Sequence, residues 1–228
     1  EISACLVGSE MCIRDRLNGK PVIIYTLELF DNHPEIDDIV VVCIEPWISF
    51  LKKQLKKFEI NKVVAVVPGG NTGQDSIYNG LNAAKDHCGL DCYVLIHDGV
   101  RPLITEQTIS DCISMVTKKG NCITCVPATE TFVVKKSDGA LEIPSRQNSL
   151  IARAPQCFRL LDILEAHKRA KFENRHDFID SCTMMSYYGH KLNTILGPME
   201  NIKITTPTDF FIFRAMVQVH ENQQIFGF

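Results

Sequence analysis

"NKVVAVVPGGNTGQDSIYNGLNAAKDHCGLDCYVLIHDGVRP" (residues 61–102) sets two short apolar runs on either side of a helical segment. Residues 63–67 are valine-rich, as a buried strand is, and stop at Pro68-Gly69-Gly70. Residues 76–87 read as a helix, and residues 92–96, "CYVLI", as a second strand that ends at "HDGVRP". The alternation continues outward. "PVIIYTLELF" (21–30) reads as a helix behind a proline start, "DDIVVVCI" (37–44) as a strand, and "PWISFLKKQLKKF" (46–58) as a helix with its lysines on one face. "ISDCISMVTKK" (109–119) and "CITCVPA" (122–128) add another helix and strand. This rhythm predicts an α/β fold with a mostly parallel sheet and helices on both faces. Ligands of such sheets bind beyond the carboxyl ends of the strands.

The rhythm breaks at "ETFVVKKSDGALEIPSRQ" (130–147), where two extended runs flank Ser137-Asp138-Gly139, a good hairpin turn. A hairpin set into an α/β chain predicts an arm, at about residues 128–148. Helices at 160–172 and 178–189 and a strand at 191–196 follow. Thr206, Pro207 and Asp209 form a helix start: a capping hydroxyl, proline at the first position and an acid in the first turn. With neither repeat nor low-complexity linker, one domain over residues 1–228 is expected.

Composition narrows the function. The chain has 228 residues, 45% hydrophobic and 22% charged, enough for a core that needs no disulfide or metal. A net charge of −3 argues against general nucleic-acid or membrane-surface binding, so an anion site must be built locally. No apolar run approaches a membrane span and the N-terminus lacks a secretory layout, so a cytoplasmic protein is expected. The ten cysteines lie mostly in or beside apolar runs and are expected to be buried reduced thiols. Cys122 and Cys125, three apart in a strand, would face opposite sides and share no metal.

Three polar motifs interrupt the pattern. In "GGNTGQDSIYNGL" (69–81) glycines allow close backbone approach, and Asp75 or Ser76 can cap a helix whose N-terminus attracts anions; a plain strand-to-helix turn fits equally. In "LIHDGVRP" (95–102) Asp98 ends a strand and Arg101 follows, which suits phosphate and Mg²⁺ or a salt bridge bracing the loop. His97 reads as a structural histidine. Lys203, between Ile202 and Ile204, is a surface charge or a fixed cation in a cleft.

Taken together, in order and spacing, "LNGKPVIIYTLE" (17–28), "GGNTGQDSIYNGL", "VLIHDGVRPLI", "IPSRQNSLIARAPQCF" (143–158), "FIDSCTMMS" (178–186) and "ENIKITTPTDF" (200–210) resemble the cytidylyltransferases of the terpenoid methylerythritol-phosphate pathway and the related ribitol-5-phosphate cytidylyltransferases. The resemblance covers roughly residues 17–220. It implies a Rossmann-like nucleotidyltransferase fold with a protruding β-arm, CTP and a polyol phosphate as substrates, Mg²⁺ as cofactor, and a homodimer joined through the arm. It implies that Gly70, Asn71, Ser76 and Gly99 hold the nucleotide. Asp98, Arg101 and Lys203 would do the catalytic work; Thr131, Arg146 and Asp180 would bind the sugar phosphate, the first two from the partner's arm. Methylerythritol 4-phosphate is the expected acceptor. Ribitol 5-phosphate, for CDP-ribitol of cell-surface polymers, is the alternative, and a catalytically impaired relative the next. A glycosyltransferase would want a DxD motif, which "HDGVRP" lacks. Two departures stand out: Gly73 replaces a frequent arginine, and Ala154-Pro155-Gln156 replaces Thr-Pro-Gln.

In this family a glycine-rich loop with arginine and lysine precedes "LNGKP". Residues 1–16 have none, and Arg14 and Arg16 are unplaced cations. An aberrant segment standing in for the natural N-terminus is expected, with a poorly folded sheet centre and weak activity as consequences.

Overall fold

A computed structural model describes residues 1–8 and 15–226. Arg14 lies outside the described residues. The main sheet has seven strands: β1 (Ile2–Val7), β2 (Asp38–Cys43), β3 (Val63–Pro68), β4 (Tyr93–Asp98), β5 (Asn121–Pro127), β8 (Leu150–Arg159) and β9 (Thr194–Leu196). Their order across the sheet is β9-β5-β8-β4-β1-β2-β3. All pairs are parallel except those of β8, which runs antiparallel to both β4 and β5. Two-residue strands β6 (Val134–Lys135) and β7 (Leu141–Glu142) form the hairpin arm, with Gly139 at φ +84° in its turn.

The helices are α1 (Val22–Asp31), α2 (Ile48–Lys57), α3 (Gly73–Cys88), α4 (Glu106–Lys119), α5 (Leu160–Phe172), α6 (Ser181–Tyr187) and α7 (Pro207–Phe226). Alternating strand residues feed two cores. Ile2, Ala4, Leu6, Ile39 and Val41 pack with α1, α2, α4 and α7, while Val40, Val94 and Ile96 pack with α3, α5 and α6 on the other face. Helix α3 approaches β1 and β2 so closely that a Cβ on Gly80 would strike Cys5 and Val42. The α7 start matches its sequence signature: Thr206 Oγ1 accepts the Asp209 N–H at 3.3 Å, and Asp209 Oδ2 accepts those of Thr205 and Thr206 at 2.9 and 2.8 Å.

Three expectations are corrected. The sheet centre is filled: Ile2–Val7 pairs with β2 on one side and β4 on the other and is almost wholly buried, because its alternating Ile, Ala and Leu suit one core and Ser and Cys the other. Cys88 and Cys92 are joined as a disulfide, since the turn after α3 folds the helix's last residue back beside the start of β4. Cys5, Cys43, Cys112, Cys122, Cys125 and Cys157 are buried free thiols, as expected, and Cys182 is half-buried. The cap of α3 is Thr72, whose Oγ1 accepts the Asp75 N–H at 3.0 Å; the helix begins at Gly73, so Asp75 and Ser76 already lie in its first turn.

Candidate active site

The carboxyl ends of the parallel strands meet at Val7, which lines two neighbouring hollows. The larger, about 320 Å³, is walled by Asp98 and Arg101 from the β4 end, Arg153 and Gln156 from β8, Asp180 and Ser181 from the α6 start, and Lys203. The smaller, about 150 Å³, is walled by Gly69, Gly70 and Ser76 with the ends of β1 and β2. A helix terminus and two strand ends thus surround a site in which Asp98 and Lys203, 105 residues apart in sequence, meet.

Asp98 is its centre. Its Oδ2 accepts from Arg101 Nε at 2.8 Å and its Oδ1 from Lys203 Nζ at 3.0 Å. Burial pushes the Asp98 carboxyl up, but Lys203 and Arg101 together outweigh it and hold the group below its ordinary value. Arg101 also donates from Nη1 to the Asn201 carbonyl at 2.9 Å, and Ile204 N–H donates to Val100 O at 3.0 Å. The loop before α7 is therefore bolted to the turn after β4, which places Lys203. Asn201 Nδ2 donates in turn to the Ala154 carbonyl at 3.1 Å, tying in β8 beside its cis Ala154–Pro155 bond. His97, 1% exposed, pairs its Nε2 with the Arg101 carbonyl at 3.1 Å. Burial lowers its pKa to about 4, so it is a neutral structural group.

Asp180 caps α6: its Oδ1 accepts the Thr183 N–H at 2.8 Å, while Gln156 Nε2 reaches Oδ2 at 3.3 Å. Burial raises its pKa, and these hydrogen bonds bring it below the ordinary value. Gln156 Oε1 accepts the Cys182 N–H at 2.8 Å, so one side chain positions the α6 start.

Asp98, Arg101, Lys203 and Asp180 are thus gathered in one hollow, and Gly70 and Ser76 in the adjoining one. Gly70 is closely hemmed: a Cβ there would run into Asp75, and its N–H is taken by Ser76 Oγ at 3.0 Å. Asn71 is exposed at the lip of that loop. Gly99 does not line either hollow; its N–H goes to Val7 O at 2.9 Å and its carbonyl to Thr26 Oγ1 at 3.0 Å. Thr131 and Arg146 stay on the exposed arm, Arg146 Nη1 donating to Thr129 O at 3.1 Å. Arg16 lies over the Phe50 ring at 5.3 Å, against α2. Sequence reasoning missed Arg153, Gln156 and Ser181. For Gln156 the signal was its place in the Ala154-Pro155-Gln156 motif, and for Arg153 a lone arginine in the mixed stretch "LIARAPQ", which does not read as a strand.

Among the described residues no group of three or more His, Cys, Asp or Glu side chains could hold a metal. Asp98 and Asp180 are the carboxylates of the larger hollow. A magnesium ion held by one or two carboxylates and completed by substrate phosphates fits that donor set. No helix among the described residues is long and apolar enough to cross a membrane.

The family model described as IspD, 2-C-methyl-D-erythritol 4-phosphate cytidylyltransferase, matches residues 13–219. A ribitol-5-phosphate cytidylyltransferase of Vibrio parahaemolyticus is 50% identical over 212 residues, covering 92% of this chain and 89% of the relative. A 2-C-methyl-D-erythritol 4-phosphate cytidylyltransferase of Clostridium botulinum is 36% identical over 204 residues, covering 89% and 87%. Among solved structures, 4-diphosphocytidyl-2C-methyl-D-erythritol synthase from Anaerococcus prevotii superposes with a TM-score of 0.83 at 26% identity, covering 95% of this chain and 96% of that one.

Proposed function

The chain belongs to the 2-C-methyl-D-erythritol 4-phosphate cytidylyltransferase family, a family of nucleotidyltransferases, and from that premise we propose that it transfers CMP from CTP to D-ribitol 5-phosphate. The relative of that name at 50% identity over 92% of the chain carries the choice of acceptor. This reading puts ribitol 5-phosphate ahead of the 2-C-methyl-D-erythritol 4-phosphate expected from sequence.

The chemistry matches the residues. A phosphate oxygen of the polyol phosphate attacks the α-phosphorus of CTP, a new P–O bond forms, the bond to the β-phosphate oxygen breaks, and pyrophosphate leaves. The nucleophile is already anionic, so no general base is needed. The obstacle is the mutual repulsion of two polyanions, and the remedy is fixed positive charge and positioning. Lys203 is held by Asp98, not left to wander in solvent, and meets negative charge on the reacting phosphates. Arg101 is locked by Asp98 and Asn201 and frames the same space. Asp98 thus acts first as a clamp for two cations. Magnesium, when bound, neutralises triphosphate charge; Asp98 is the carboxylate placed to share it. The loop of Gly70, Asn71 and Ser76 serves the cytosine end in the adjoining hollow. The arm, with Thr131 and Arg146, completes the site of a second subunit in a homodimer of cytoplasmic location.

A second reading, 2-C-methyl-D-erythritol 4-phosphate as acceptor, is favoured by the description of the matching family model. Pyrophosphate release with CTP and each polyol phosphate separates the two. A kcat/KM at least about tenfold higher with ribitol 5-phosphate is expected, equivalent to about 1.4 kcal/mol of transition-state preference. Equal or inverted values would reject the ribitol reading, and no turnover with either would favour an impaired relative.

A further inference from the structure

The larger hollow contains a third cation besides Arg101 and Lys203. Arg153 stands on β8 between Ala152 and Ala154 and lines the hollow together with Arg101 from the β4 turn. Arg101 and Lys203 are both tied to Asp98. The Arg153 guanidinium forms no ion pair or hydrogen bond among the described residues, and its Nε is buried without a partner. Burial and the neighbouring Arg101 both disfavour its charge. Two other residues that line the hollow also carry a buried polar atom without a partner, Ser181 at Oγ and His97 at Nδ1. With three cations against two carboxylates, the hollow has formal charge to spare for an anion.

A guanidinium is a fork of donors that stays charged even where burial disfavours it, and it matches phosphate oxygens two at a time. Leaving one uncompensated beside another arginine is costly unless an anion arrives.

We propose that Arg153 binds the phosphate group of the polyol phosphate and sets the affinity for that substrate, with Ser181 Oγ as an accompanying donor. This rests on the cytidylyltransferase reading of the same site and adds a residue to it. Two phosphate sources are available, the polyol phosphate and the CTP triphosphate. Position favours the first: Arg153 shares its hollow with Asp180 and Lys203, whereas Gly69, Gly70 and Ser76, the part of the glycine loop assigned to the nucleotide, line the neighbouring one across Val7.

The test compares wild type, Arg153→Gln and Arg153→Lys in the full chain. Steady-state kinetics with CTP and each polyol phosphate are read alongside calorimetric binding of ribitol 5-phosphate and of inorganic phosphate. Arg153→Gln is expected to raise the KM for the polyol phosphate about tenfold to hundredfold, the loss of charge-assisted hydrogen bonds, with kcat within about threefold and the KM for CTP within about twofold. Arg153→Lys is expected to recover part of that loss, and a melting temperature near wild type for this variant establishes that the fold is intact. Binding of ribitol 5-phosphate should weaken in the same proportion, a readout that survives if turnover is low. A polyol-phosphate KM and binding constant unchanged in both variants overturns the proposal. So does a KM increase confined to CTP, which would hand Arg153 to the nucleotide, or an absence of any phosphate binding by wild type. Preference of wild type for methylerythritol phosphate would reject the acceptor named above while leaving the Arg153 comparison to be read with that acceptor.

Discussion

Lys203 is half-exposed, yet its Nζ is fixed at 3.0 Å from Asp98. An exposed ion pair of this kind adds little stability. On the proposed function its contribution to catalysis is large, because it would put a cation where phosphate charge builds up. Lys203→Ala should therefore lower kcat/KM by about 10²- to 10³-fold while moving the melting temperature little, measured by pyrophosphate release and thermal unfolding. Asp98→Asn should cost at least as much activity, since both cations lose their clamp at once. Histidine gives a pH signature. Burial, reinforced for His167 by Lys171, lowers both His97 and His167 from the usual 6.5 to about 4. Between those values the unfolded chain takes up protons that the folded one refuses, so stability falls as pH drops from 6.5 toward 4, by about 1.4 kcal/mol per pH unit for each such histidine. Urea unfolding from pH 7 to 5 should show this slope, and His167→Gln should flatten it. A slope unchanged in that variant would remove His167 from the account.

Two elements carry predictions of their own. Helix α3 meets the sheet at Gly80, where Cys5 and Val42 leave no space for a side chain. Gly80→Val should force helix and sheet apart and destabilise the fold by about 1–3 kcal/mol in chemical unfolding, as overpacking does. The arm is the opposite case. Leu141 and Ile143 are 70% and 66% exposed, and Val133 is 53% exposed. Such a patch on a hairpin whose two strands pair only with each other among the described residues suits burial against a second subunit. Leu141→Ser with Ile143→Ser should shift sedimentation from dimer toward monomer and lower activity, with little change in far-UV circular dichroism. A wild-type monomer in the ultracentrifuge would overturn the arm's proposed role. The hairpin was legible beforehand because Ser137-Asp138-Gly139 is a local turn signal. Strand β8 was not: "LIARAPQCF" has a proline and a mid-run arginine, and it becomes a strand through antiparallel pairing with both β4 and β5, with a register shift between Ala152 and Gln156.

Across the whole molecule, the central position of β1 makes the first residues essential to the fold. Ile2–Val7 pairs on both edges and contributes buried side chains to both faces. A variant lacking residues 1–7 should lose cooperative unfolding, followed by circular dichroism, because β2 and β4 would face each other across an empty lane. What could be read from the chain alone was whatever repeats locally: apolar period and length marked β2 to β5 and the helices, and cap chemistry marked the α7 start. Residue type left Asp98 and Arg101 open between phosphate handling and a salt bridge, and Lys203 between a surface charge and a fixed cation; the resemblance to the cytidylyltransferases is what marked the three as one set. Beyond local reading lay each contact between distant segments. Lys203 reaches Asp98 across 105 residues because Arg101 holds the Asn201 carbonyl and Val100 the Ile204 amide. Arg153 faces the same hollow only because β8 enters the sheet between β4 and β5. Local sequence sets which face of a segment is apolar; the pairing of those faces, and so the company each charge keeps, is settled by packing the two cores.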